Sequence, residues 1–206
     1  LLTLGGAGSA SQRRGYALHL FAADRSMDSR SFTNTDGDLL VIPQEGGLSV
    51  QTEAGWIDAE PGEILVLPRG LRFSVHLPDG KARGYVGEVF GQHLALPDRG
   101  PVGSNGLAEA RHFRAPTPAF EDRVIPGYRS TVKMGGLVQE STQDHSPYDV
   151  VAWHGDYVPY VYDLMKFSPV GNARFDHIDP SVHTVLSAPL DEPGAHALDF
   201  VVFPPR

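Results

Sequence analysis

The chain has 206 residues, 41% of them apolar and 20% charged, with a net charge of −8 and no cysteine. That length supports one large or two modest cores, and the negative charge disfavours nucleic acid as a partner. The lack of cysteine excludes disulfides and thiolate chemistry and fits a reducing cytoplasm, while no apolar run approaches a membrane span and residues 1–8 do not read as a secretory signal.

Gly (23) and Pro (17) are spread along the whole chain, which cuts the apolar residues into short runs. The first strand candidate is 16–22, bounded by Gly15 and Asp24. Asp36-Gly37 is a turn signal, followed by a buried strand at 39–42. Gly46-Gly47, Ala54-Gly55, Pro61-Gly62, the turn 68–70 and Pro78-Asp79-Gly80 then separate strands at 48–52, 56–59, 63–67, 71–77 and 82–90. Seven short strands at this spacing predict a mainly β protein, an antiparallel sandwich or barrel of the jelly-roll kind. Between 91 and 126, four prolines break any long element, and 107–112 reads as a helical turn. Strands follow at 131–140 and 148–153, and 182–187 with 198–203 read as the first strands of a second β unit. The chain divides on this reading into 1–166 and 167–206. Its two ends, a leading leucine and a stop just after an apolar strand, suggest a piece of a longer protein.

Cupin barrels hold metal on two strand motifs, the second reading G-x5-P-x-G-x2-H. Here GEILVLPRGLRF, residues 62–73, matches every position except the last, where Phe73 stands in the ligand slot. Pro68 and Gly70 suit the tight turn, since proline fixes φ and glycine permits positive φ. By spacing, the slots of the first motif fall at Phe32, Asn34 and Asp38. Phenylalanine has no lone pair to give, and one aspartate does not make a metal site. The expectation is a cupin-like jelly roll whose metal position is filled by side chains.

Nine histidines occur, with no H-x-H or H-x3-H pair, so a metal site built from this chain alone is not expected. His19 reads as a packed or rim residue, and His154 as a buried structural one. His76, His93, His112, His145 and His196 lie near turns and read as solvated. His177 stands apart, flanked by Asp176 and Asp179 with Pro180 at the loop exit. A carboxylate beside imidazole raises its basicity and fixes its tautomer, which suits a general base. The same pattern also suits a loop histidine beside a turn aspartate.

Several blocks decide between these. GPVGSNGL at 100–107, DVVAWHG at 149–155, FDHIDPS at 175–181 and DFVVFPPR at 199–206 resemble the homogentisate 1,2-dioxygenase family, in register along the chain. The resemblance implies a double cupin whose N-terminal half lacks metal, assembled as trimers paired into hexamers. It implies a non-haem Fe(II) dioxygenase of tyrosine and phenylalanine catabolism. Such an enzyme opens homogentisate with O2 to maleylacetoacetate. The iron ligands, two His and a Glu, would lie beyond Arg206, so this chain contributes no metal or cofactor ligand. His177 matches the histidine that takes the substrate's phenolic proton. Glu109-Ala110, His112 and His183 depart from the family pattern, and a histidine at 183 would change the polarity of a pocket wall near His177. Two further readings stay open: a non-catalytic cupin assembly module, and a paralogous ring-cleaving dioxygenase for another aromatic acid.

Overall fold

A computed structural model of the chain describes all residues except 99–105, 152–156, 170–181 and 205–206. In chain order the strands are β1 (Leu2–Ser9), β2 (Arg14–Ala23), β3 (Arg30–Asn34), β4 (Gly37–Glu45), β5 (Leu48–Thr52), β6 (Gly55–Ala59), β7 (Glu63–Leu67), β8 (Arg72–His76) and β9 (Ala82–Phe90). They continue with β10 (Gly106–Leu107), β11 (Val124–Met134), β12 (Leu137–His145), β13 (Tyr160–Asp163), β14 (Ser168–Pro169), β15 (His183–Pro189) and β16 (His196–Val202).

Two six-stranded sheets form the body, in the orders β1-β2-β9-β4-β7-β13 and β12-β11-β3-β8-β5-β6. Val41, Leu65 and Val86 of the first sheet pack against Val50, Ile57 and Phe73 of the second. This is the cupin-like β-sandwich expected from the sequence.

The central strands of the first sheet are buried on both faces, which explains their unbroken apolar runs. In β7, Leu65 and Leu67 point into the sandwich, while Ile64 and Val66 point outward into a second core. All four are 2% exposed or less. Full burial of such a side chain contributes about 1.5–3 kcal/mol. The second core is closed by the β15–β16 hairpin, whose Val185, Leu186 and Ala188 cover Leu40, Ile64, Val66 and Val89.

The strands expected at 48–52, 63–67 and 82–90 fall where β5, β7 and β9 lie, and those at 182–187 and 198–203 fall on β15 and β16. The single strand expected at 131–140 is corrected to parts of two, because Gly135 and Gly136 take positive φ (59° and 80°) and turn β11 back into β12. The strand expected at 148–153 is not formed over its described residues, 148–151. The helical turn expected at 107–112 is a short 3-10 turn at Ala110–His112.

Candidate functional site

The turn between β7 and β8 is built as its sequence suggests. Gly70 takes φ +84°, and its N–H donates to the Asn34 carbonyl at 2.7 Å. The neighbouring Arg69 N–H donates to the Asp38 carboxylate at 2.9 Å. Phe73 emerges from this turn opposite Phe32 on β3, and their rings meet edge to face at 5.8 Å. Asn34 donates to Glu88 Oε1 at 2.7 Å and to the Gly37 carbonyl at 3.0 Å. Glu88, 2% exposed, accepts from the Lys133 ammonium at 2.5 Å through both oxygens, and His19 Nε2 lies 3.4 Å from it.

These residues do not fit iron. Two of the slots hold aromatic rings, and the Asn34 amide donates rather than accepts at Glu88. The buried carboxylate of Glu88 is already matched by an ammonium, which carries three donors and no lone pair, and buried Asp36 beside it accepts from the Gly135 and Gly136 N–H groups. Among the described residues, no group of three or more His, Asp or Glu could hold a metal ion.

Asp38 corrects the slot alignment. Alternation along β4 sends Leu39 and Val41 inward, and Asp38 with Leu40 outward. The sandwich is also less filled than expected: a cavity of about 320 Å³ remains beside Phe32 and Phe73, lined also by Leu1, Ala22, Ala23 and Arg25.

On the outer face, Asp38 organises the junction with the β15–β16 hairpin. Its carboxylate accepts from Leu94 N–H at 2.9 Å and from His93 Nδ1 at 3.0 Å. The Leu94 carbonyl accepts from Tyr160 Oη at 2.9 Å, and Ala95 exchanges two 2.9 Å backbone bonds with Ser187 of β15. Tyr162 stacks on Phe113 at 4.6 Å, and its buried hydroxyl has no partner among the described residues. Burial, then Asp163 and Glu109, push that phenol up to about 12. Phe167 and His183, which stand on either side of 170–181, approach to 5.8 Å between ring centroids.

His177 and His154 lie outside the described residues. His183 is 5% exposed, and it sits on β15 at the rim of the second core. The solvated reading fails for three histidines near turns, while His145 and His196 stay partly exposed and each pairs with an aspartate. His76 tilts against Trp56 at 5.2 Å, His93 is bonded to Asp38, and His112 has its Nδ1 buried. His145 Nδ1 lies 2.8 Å from the Ser146 carbonyl and Nε2 lies 3.0 Å from Asp122, two acceptors that favour the protonated ring. The Asp122 hydrogen bond first, then the Ser146 carbonyl, raise its pKa above the usual histidine value. The Glu88–Lys133 pair was not legible in the sequence, because 45 residues separate its partners and no local spacing marks it.

Two family models match the chain: Homogentisate 1,2-dioxygenase N-terminal over residues 1–164, and Homogentisate 1,2-dioxygenase C-terminal over 165–206. A homogentisate 1,2-dioxygenase of Oryza sativa subsp. japonica is 57% identical over all 206 residues, which span 44% of that protein. One of Arabidopsis thaliana is 54% identical over the same residues, which span 45% of it. The chain therefore spans less than half the length of these relatives.

Proposed function

The chain belongs to the homogentisate 1,2-dioxygenase family, and on that premise we propose that its parent polypeptide opens the ring of homogentisate with O2 to give maleylacetoacetate. The observation that carries this reading is identity of 57% and 54% to two such proteins along the entire chain.

Residues 1–166 are read as the metal-free cupin with its connecting segment, and 167–206 as the start of the C-terminal cupin. Fe(II) belongs to the polypeptide beyond Arg206. Iron, when bound there, supplies a Lewis acid with open positions for substrate and O2. His177 takes the phenolic proton of homogentisate. A neutral imidazole offers the lone pair that accepts this proton. Asp176 and Asp179 flank it in sequence and favour the protonated form once the proton has moved. The parent polypeptide is placed in the cytoplasm, in trimers paired into hexamers. Among the described residues no helix is long and apolar enough to cross a membrane, which says nothing of strands.

In the intact, iron-loaded polypeptide, His177→Asn is expected to lower kcat by about 10²- to 10⁴-fold with iron content unchanged. Oxygen uptake and absorbance of the ring-opened product measure this. Unchanged turnover would remove His177 from the reaction.

The 206-residue chain by itself is read as scaffold. The aromatic rings in two of its cupin slots and the ammonium on Glu88 favour that reading. It is expected to bind no iron and to consume no homogentisate, and one tightly held iron per chain would contradict this.

A further inference from the structure

We propose that the interior of the sandwich is a binding site for a small amphipathic monocarboxylate, with its apolar tail inside and its carboxylate on Arg25. The proposal rests on this cavity alone and does not depend on the function proposed above.

Protein interiors pack as densely as organic crystals and contain few voids larger than a water molecule. The cavity between these sheets is about 320 Å³, roughly twice the ~150 Å³ that admits a benzene ring. Phe21, Leu39, Val41, Leu65 and Val86 help to form its wall, and among the described residues Arg25 is the only lining one with a polar side chain. Such a lining gives water too few partners to make it a good occupant. Met27 also lines it and can adapt to an irregular ligand.

The mouth supplies the second half of the recognition. Arg25 is exposed, and among the described residues no ion pair engages it. The adjoining surface pocket carries Lys81 and Arg83, both paired to Glu45, at 3.5 and 2.8 Å, together with Asp24. These two cations and two carboxylates balance, so Arg25 at the neighbouring cavity adds one positive charge, in a chain whose net charge is −8. A guanidinium free to pair at the edge of an apolar cavity fits a carboxylate on an apolar tail. The tail is a medium-length alkyl chain or an aryl-alkyl group of roughly eight to ten heavy atoms, judged from the benzene comparison. Ring hydroxyls would be buried there without partners, so homogentisate itself is a poor occupant.

The test titrates octanoate and 1-octanol into the intact, iron-loaded polypeptide by calorimetry. Octanoate is expected to bind once per chain, with a negative heat-capacity change, and without competition from homogentisate. Arg25→Gln should weaken octanoate about five- to tenfold and leave 1-octanol unchanged. Val86→Phe, which places a ring in the cavity, should abolish both. Because Arg25 is exposed, Arg25→Gln keeps the test open should Val86→Phe fail to fold. Absence of saturable binding, as when another part of the polypeptide fills the cavity, would overturn the proposal. So would equal affinity in Arg25→Gln, or displacement of octanoate by homogentisate, which would place it at the catalytic centre.

Discussion

Asp38 is 1% exposed and accepts hydrogen bonds from Arg69 N–H, Leu94 N–H and His93 Nδ1, which lie on two separate segments. Truncating it leaves two backbone donors without an acceptor, and each buried orphan costs about 1–3 kcal/mol. Asp38→Ala is therefore expected to destabilise by about 3 kcal/mol, a fall in Tm of roughly 6–12 °C for a chain of this size. A loss below about 1 kcal/mol in thermal melts would mean that water replaces the carboxylate. Spacing put a ligand slot at Asp38, but its carboxylate lies on the outer face, because slots were counted along the chain while side-chain direction follows the pairing of β4. Phe73 was legible because its turn carries its own signature, Pro68 and Gly70. A second residue-scale effect comes from Tyr148, 1% exposed, whose hydroxyl lies 2.7 Å from Ser74. Burial is the largest cause that holds this phenol above its ordinary value, and the Ser74 hydrogen bond offsets part of that rise. In the unfolded chain the phenol ionises near pH 10. Above that pH the unfolded state loses a proton that the folded state keeps, so stability falls as pH rises towards the folded pKa. The urea midpoint is expected to drop between about pH 9 and pH 11, and less steeply in Tyr148→Phe. An equally steep fall in the variant would assign the effect to other groups.

At the scale of elements, strands bounded by Gly or Pro turns were legible, because turn chemistry and an apolar run marked them together. β1 escaped, since LTLGGAGS has three glycines and its described residues are almost all exposed. β3 escaped because RSFTN has one large apolar residue, and its burial comes from pairing with β8 and β11. Both are strands by partnership rather than by propensity. The outermost strand of the second sheet, β12, is exposed along nearly its whole length, and Leu137 and Val138 are 70% and 63% exposed. An open edge that carries large apolar side chains is a template for association. Val138→Lys is expected to lower self-association of the 206-residue chain in sedimentation velocity, without a shift in its unfolding midpoint. An unchanged distribution of species would place the contact on another surface.

For the molecule as a whole, the unbroken apolar runs of β4 and β7 announced burial on both faces, but not what covers the second face. That depended on a hairpin more than 100 residues downstream, and a single sequence carries no record of such pairing. The β15–β16 hairpin closes the second core, and Leu186, 1% exposed, packs there with Ile64 and Val66. The main sandwich and the hairpin thus share side chains of β7, whose opposite face lines the first core. A cavity at Leu186 should therefore be felt through β7 in the sandwich itself. Leu186→Ala is expected to cost about 2–5 kcal/mol and to move one cooperative transition rather than split it in two. Urea unfolding followed by Trp56, on β6 of the far sheet, reads the sandwich. Hydrogen exchange at β7 amides reads the shared strand. Faster exchange in β7 together with a lowered Trp56 midpoint would make the two cores one folding unit. Loss of protection confined to β15 and β16, with β7 and the Trp56 midpoint unmoved, would make the hairpin an appendage that unfolds on its own.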